Sequence, residues 1–214
     1  MADDSQAAGA GPDDTLAAAV RARLASGDLA AATTLVVQGH GPQILGYLTA
    51  MARHEADAHD AFSQFCEDLW RGLPGFMGRS SLRTWCYVLA RNALHRQRSR
   101  APQRHGAHLA LSQVPELSQL AERLRTATPD FMRSETRSRF AVLRDRLDPD
   151  DRTLLILRVD RRMPWRDIAE VLADQDEALA PADLARRAAA LRKRFERLKQ
   201  SLRELLSDTR DEPR

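Results

Sequence analysis

Acidic residues are missing from a long central stretch of this chain. No aspartate or glutamate occurs between Asp68 and Glu116, although the 214 residues include 30 acidic ones and carry a formal net charge of only +3. The pI is nevertheless about 9.3. The distribution of charge is therefore more informative than its sum, and an acid-free, arginine-containing segment favours an anionic partner.

Aromatic residues, cysteines and long apolar runs are also scarce. Aromatics make up 5% of the chain, whereas alanine, leucine and arginine dominate, which favours helices over strands. The two cysteines, Cys66 and Cys86, form no CxxC pair, and the N-terminus has no secretory signal. We therefore expect buried, reduced thiols in a cytoplasmic protein. No apolar run approaches the roughly 20 residues that cross a membrane.

Catalytic and metal-binding patterns are absent from the sequence. There is no Gly-rich phosphate loop and no GxSxG motif. His54 and His59 are five residues apart, which places them on different faces of a helix, unlike a metal-binding pair four apart. The sequence therefore predicts a protein that is not an enzyme, with no catalytic residue, no metal and no cofactor.

The apolar spacing predicts an all-α fold with two helical domains. Residues 1–14 are interpreted as a disordered tail, and residues 15–100 as a domain of four or five helices with a turn at 39–42. Residues 101–130 are interpreted as a flexible linker, in which three leucines allow a short helix but no core. A second domain is predicted over residues 131–210.

The second domain has three helix starts, each marked by a proline. Pro149 follows a capping aspartate, Pro164 follows a break, and Pro181 opens a long helix with apolar residues at alternating spacings of three and four. This arrangement predicts a helix-turn-helix with a basic last helix. The alternative is a bundle helix with a solvated basic face. The basic residues on its outer face include Arg186, Arg187, Arg192, Lys193, Arg194 and Arg197.

The acid-free stretch contains an unusual mixture of side chains over residues 76–104. Seven arginines are interleaved there with hydroxyls, with the Asn92 amide and with the aromatic rings of Trp85 and Tyr87. Arginines contact phosphates, hydroxyls and amides bond base edges, and aromatic rings stack on bases. The mixture favours a nucleic-acid surface over the alternative of a solvated basic helix. The candidate residues are Arg79, Ser80, Ser81, Arg83, Thr84, Trp85, Tyr87, Arg91, Asn92 and His95.

Several segments together resemble a bacterial sigma factor of the sigma-70 family, of the compact extracytoplasmic-function (ECF) type. The most specific part is residues 78–92, within the run FMGRSSLRTW and the later ARN. Residues 57–60 (DAHD) with 69–71 (LWR) are similar to the helix that docks on the polymerase clamp helices. In the second domain, 147–149 (LDP) and 165–172 (WRDIAEVL) are similar to the first helices of the family's helix-turn-helix, and 191–202 to its recognition helix.

The resemblance implies a role for each surface. Residues 76–98 would capture the melted strand and contact the nearer promoter element, with Arg83, Arg91, Arg96 and Arg98 on phosphates. The last helix would read the farther element, and either Arg186 with Arg187, or Arg192 with Lys193 and Arg194, would enter the groove. The linker would run through the polymerase channel. An acidic helix face would bind the polymerase through Asp57, Asp60, Gln64, Glu67 and Asp68.

The implied partners are core RNA polymerase and promoter DNA, with an anti-sigma factor as a further candidate. We expect no membrane association and a monomer when the chain is free. Two other functions remain open from the sequence. One is a free-standing helix-turn-helix regulator that binds duplex DNA. The other is a sigma-like interaction module without promoter activity.

Overall fold

The computed structural model describes residues 11–52, 54–99, 115–127, 147–173 and 180–208. Within these ranges every regular element is a helix and no strand occurs, which confirms the all-α prediction. The N-terminal elements are α1 (Pro12–Ala25), α2 (Leu29–Met51), α3 (Glu55–Gly72), a 3₁₀ turn (Leu73–Gly75) and α4 (Leu82–Ser99). They are followed by α5 (Pro115–Ala127), α6 (Pro149–Leu155), a π-helical segment (Ile156–Asp160), α7 (Trp165–Val171) and α8 (Pro181–Asp208).

The turn predicted at residues 39–42 is wrong, because α2 continues through it as one helix. Pro42 lies inside α2, and the two preceding glycines allow neighbouring helices to approach closely. A Cβ at Gly39 would lie 2.5 Å from Leu16 of α1, and one at Gly41 would lie 2.8 Å from Leu124 of α5. Packing on both sides therefore outweighs the local tendency of glycine and proline to break a helix.

The centre of the N-terminal part is built where α2, α3 and α4 meet. Tyr47, Phe62 and Phe65 are fully buried there. Cys66 and Cys86 are also buried and unpaired, as predicted. Burial raises the pKa of the Cys66 thiol to about 12 and also raises that of Cys86. Both thiols therefore remain protonated and behave as small apolar side chains.

Helix α5 lies in the segment interpreted as a linker, and it contributes to the core. Leu117 is 1% exposed and Ala121 is 2% exposed. Arg125 also donates a hydrogen bond of 2.6 Å to the Ser63 hydroxyl of α3. The prediction that this segment forms no core is therefore wrong for α5. Sequence periodicity missed the packing because only one narrow face of this helix is apolar.

The C-terminal helices begin close to the predicted positions. The Asp148 carboxylate caps α6 by accepting from the backbone N–H groups of Asp150 and Asp151, and Pro149 occupies the first helical position. Helix α8 starts at Pro181, as predicted. Trp165 of α7 packs edge-on against Phe195 of α8, with ring centroids 5.5 Å apart. The polar loop predicted before α8 lies largely outside the described residues.

The N-terminal helices also contact the C-terminal helices. Helix α4 packs against α7, and α2 against α6. The Thr153 hydroxyl of α6 lies 3.6 Å from the Met51 sulfur at the end of α2, and both residues are 2% exposed. The fold therefore places α4 between the N-terminal helices and the C-terminal ones. None of the described helices is both long enough and apolar enough to cross a lipid bilayer.

Candidate nucleic-acid interface

The start of α4 is fixed by a side-chain cap. The Ser81 hydroxyl accepts a hydrogen bond of 3.0 Å from the Thr84 backbone N–H, and the Ser81 carbonyl accepts from Trp85. Ser81 also donates to the Thr84 hydroxyl at 2.7 Å, because that hydroxyl uses its own proton elsewhere. The cap sets the position where the preceding loop meets the helix.

The loop before α4 is the most exposed part of the site. Gly78 has a φ of 68°, a left-handed conformation that suits glycine and turns the chain sharply. Beside it, Met77 is 81% exposed and Arg79 is also exposed. Ser80 is half-buried. The loop therefore presents one apolar and one cationic side chain to solvent.

An aromatic pair lies at the base of this loop, between the loop and the first turn of α4. The Phe76 and Trp85 rings lie 4.8 Å apart at 30°, and both residues are only partly buried. A Cβ at Gly72 would lie 3.0 Å from the Trp85 ring, so this glycine lets the indole approach the end of α3. The pair places two partly exposed aromatic rings next to the exposed loop, and aromatic rings are the side chains that stack on bases.

The predicted residues farther along α4 differ in exposure. His95 is exposed, whereas Asn92 is half-buried. Tyr87 is 1% exposed and packs edge-on against Tyr47 at 5.5 Å. Burial raises the pKa of the Tyr87 phenol. In this arrangement Tyr87 is a core residue and offers no ring face to a base. Two phosphate candidates are engaged internally, since Arg96 pairs with Asp68 and Arg98 donates to the Met51 carbonyl at 2.6 Å.

Three predicted residues of α4 contact the C-terminal part instead of solvent. Arg83 donates to the Arg161 carbonyl at 2.8 Å, and the buried Thr84 hydroxyl donates to Asp167 at 2.9 Å. Arg91 lies 3.4 Å from a carboxylate oxygen of Asp150 and 3.4 Å from the Ala173 carbonyl. The structure thus separates the predicted set into an exposed loop and a covered helix face.

The comparison with protein families matches this same region. Residues 36–103 match the family model of sigma-70 region 2. The matched residues make up about a third of the chain, and this part is similar to sigma-70 region 2. No curated protein and no solved structure matches the chain. The region 2 segment includes most of α2, all of α3 and α4, and the exposed loop between them.

Within the region 2 segment, the residues predicted to face the polymerase do not share one environment. Asp60 is exposed and Asp57 is half-buried. Gln64 donates to Asp68 at 3.1 Å, and Asp68 in turn pairs with Arg96 of α4. The Glu67 side chain is 2% exposed and lies 3.5 Å from Arg71. Glu67 lies on the buried side of α3 and is therefore an internal residue in this arrangement.

The basic residues of α8 occupy three sides of the helix. Arg186, Lys193 and Arg197 are seven and four residues apart, which aligns them opposite the buried Leu191 and Phe195. All three are exposed, and Arg186 pairs locally with Asp183. This outer stripe, which we define as Arg186, Lys193 and Arg197, is an exposed cationic face of the helix.

The other three predicted cations of α8, namely Arg187, Arg192 and Arg194, contact the protein. Arg187 donates to the Leu172 carbonyl at 3.0 Å. Arg194 donates to Asp151 at 2.5 Å and to Asp148 at 3.2 Å. Burial lowers the pKa of Arg194, but the two carboxylates outweigh it and raise the pKa overall. Arg192 is exposed, with its guanidinium 5.9 Å from the Trp165 ring centre.

Sequence reasoning missed the acceptors that cover α4, namely Asp150, Asp167 and two backbone carbonyls. Asp167 lies 83 positions from its partner Thr84, so local periodicity carried no signal for the pair. The exposure of Met77 was also missed, although a methionine between two loop glycines is a recognisable signal. Among the described residues no cluster of three or more histidine, cysteine or acidic side chains forms a possible metal site.

Proposed function

We propose that this protein is a promoter-specificity subunit of the sigma-70 family, of the ECF type, and that it acts in the cytoplasm. It binds core RNA polymerase, recognises two promoter elements and captures the melted strand. It performs no chemistry itself and needs no cofactor. The observation that carries the proposal is the region 2 match over residues 36–103, which includes the exposed loop and its aromatic pair.

Strand capture is assigned to the loop over residues 76–81 with the start of α4. Extracting a base from the duplex costs a few kcal/mol, which stacking and hydrogen bonding must recover. Trp85 and Phe76 supply ring faces, and the exposed Arg79 supplies a charge for a phosphate. Asn92 and His95 lie farther along the same helix, where they would contact the nearer promoter element.

Reading of the farther element is assigned to α8 and its outer stripe. Lys193 and Arg197 are exposed on the side opposite the core, so a major groove can approach them without unfolding the helix. An arginine–guanine pair in the groove contributes about 1–3 kcal/mol of discrimination. Arg194 is held by Asp148 and Asp151, so Lys193 and Arg197 are better candidates for the groove.

Polymerase binding is assigned to the outer side of α3. Asp60 and Asp57 provide carboxylates there that suit a basic partner surface, whereas Glu67 is internal. The pairing of Asp68 with Arg96 joins α3, which carries this docking surface, to α4, which follows the capture loop.

Run-off transcription with purified core polymerase tests the proposal directly. Initiation from a template library supports a promoter-specificity subunit. Duplex binding without initiation supports the free-standing helix-turn-helix regulator. Neither binding nor initiation supports the interaction module. Sedimentation of the free chain checks the expected monomer, and affinity capture from the native cytoplasm checks for an anti-sigma factor.

A further inference from the structure

Three donors of α4 that the sequence predicts to bind DNA already have partners inside the protein. Arg83 donates to the Arg161 carbonyl, Thr84 to the Asp167 carboxylate, and Arg91 to both Asp150 and the Ala173 carbonyl. All four acceptors come from residues 147–173. One short stretch of chain therefore supplies acceptors to three side chains of α4.

The acceptors present the same chemistry as a nucleic-acid strand. They are two carboxylates and two carbonyl oxygens, which replace the phosphate and base oxygens that arginine and threonine bind in nucleic acids. A donor that bonds a protein oxygen is not available for a nucleotide at the same time. Binding of residues 147–173 and binding of a strand to α4 are consequently competing events.

Burial shows that this contact is more than a surface ion pair. Thr84 is fully buried, and the Arg91 side chain is only 13% exposed. Nearby, Met51 and Thr153 form a buried contact between α2 and α6. The contact is also polar at its centre, as is typical of interfaces that open and close, because its groups can be rehydrated or rebonded on release.

We infer that residues 147–173 form an internal cover over α4, with Asp167 and Asp150 as its main contacts, and that this cover keeps a single DNA strand from Arg83, Thr84 and Arg91 until it is released. This inference rests on the proposed function. The loop at 76–81 and the outer stripe of α8 remain exposed when the cover is closed. With the cover closed, the free protein can therefore bind duplex DNA through α8. Strand binding by the covered residues of α4 requires that the cover first be released.

The cover predicts a specific change in affinity. When only the open fraction of a protein binds, the observed affinity is the intrinsic affinity multiplied by that fraction. Removing a cover contact raises the open fraction and so tightens single-strand binding. Duplex binding through α8 does not require opening, so its affinity stays constant.

The test measures fluorescence anisotropy of the full chain with a fluorescein-labelled single-stranded deoxyoligonucleotide, and with the same strand annealed to its complement. Asp167→Ala removes the acceptor for Thr84 without touching any proposed DNA contact. We expect it to bind the single strand roughly three- to tenfold more tightly, with duplex affinity unchanged within about twofold. Asp150→Asn, at a more exposed position, should also tighten single-strand binding. It replaces Asp167→Ala as the test variant if Asp167→Ala folds poorly.

The matched control is Glu116→Ala, which removes an equal charge from the exposed first turn of α5. It should leave single-strand affinity unchanged. Amide hydrogen exchange provides a second measurement, since Asp167→Ala should accelerate exchange in both α4 and α7 while α2 stays protected.

The possible outcomes separate the cover from the proposed function. If wild-type protein initiates transcription but Asp167→Ala and Asp150→Asn bind the single strand no better than wild type, the cover is refuted and the proposed function stands. Equal tightening by Glu116→Ala also refutes the cover, since the loss of a negative charge alone then explains the effect. If no variant binds a strand and none initiates transcription, the proposed function fails and the cover fails with it.

Discussion

Thr84 donates a hydrogen bond of 2.9 Å to Asp167, which lies 83 residues farther along the chain. The same hydroxyl accepts from Ser81, the residue that caps α4. A short series of hydrogen bonds thus links the start of α4 to the first turn of α7. The relative position of the two helices therefore affects the same residues that shape the exposed loop.

The aromatic pair beneath the loop gives the first prediction. Trp85→Ala removes the ring that faces Phe76, and we expect open-complex formation to fall by about tenfold, since stacking contributes about 1–3 kcal/mol per base. Permanganate footprinting of the melted strand measures this effect. Trp85→Phe keeps a ring and should retain most of the activity. Equal losses of strand melting and of duplex binding in a mobility-shift assay would count against the assignment.

Neighbouring cations on α8 give a matched pair of variants. Lys193→Ala should weaken duplex binding and reduce the slope of log affinity against log salt by about 1, because one phosphate contact is lost. Arg194→Ala should lower the free energy of unfolding, by no more than about 1 kcal/mol since its ion pairs are partly exposed. Urea denaturation and salt titration separate the two effects. If Arg194→Ala, and not Lys193→Ala, reduced the salt slope, the assignment would be reversed. Arg194 would then leave Asp148 and Asp151 to contact DNA.

The close approach of α5 to α2 depends on Gly41. Gly41→Ala places a methyl group 2.8 Å from Leu124 and 3.3 Å from Val37, so we expect a net loss of about 1 kcal/mol in unfolding free energy despite the better helix propensity of alanine. Urea denaturation measures the loss. Leu124→Ala should make the glycine substitution neutral or favourable. Stabilisation by Gly41→Ala in the wild-type background would show that Leu124 moves aside easily.

The buried His40 makes stability depend on pH. Burial lowers its pKa from the usual 6.5, and neither ring nitrogen has a hydrogen-bond partner within the described structure. The nearby Arg83 lowers the pKa further, whereas Asp13 opposes this effect. Because the unfolded chain binds a proton more readily, the contribution of His40 is complete above about pH 6.5 and is lost as the pH falls toward its folded pKa.

Urea denaturation at about pH 8 and about pH 5.5 brackets that window. His40→Leu cannot titrate and should lose less stability on acidification than wild type. His54→Gln, which removes an exposed histidine at the start of α3, is the matched control. An identical change in pH dependence for both variants would exclude His40 as the source.

Much of the site could be predicted because it lies on local patterns. The acid-free segment indicated an arginine-rich α4, and the glycines around Met77 indicated a loop before it. The capping aspartate and proline at 148–149 indicated the start of α6. The interpretation of Thr84 and Glu67 as surface groups did not anticipate their burial, whereas for Tyr87 the sequence left both a stacking role and a core role open. Polar or amphipathic residues occur on either side of a helix, and sequence spacing alone does not say which side a neighbour will cover.

The sequence by itself determined that the chain is helical, where most helices begin, and that its cations are concentrated on α4 and α8. Those properties follow from propensity, capping and charge over a few adjacent residues. Only the tertiary structure decided that α2 runs unbroken past Pro42, that α5 joins the core, and that Asp167 meets Thr84. Each of these depends on contacts between residues distant in the chain, whose packing energy outweighs the local preferences that a sequence displays.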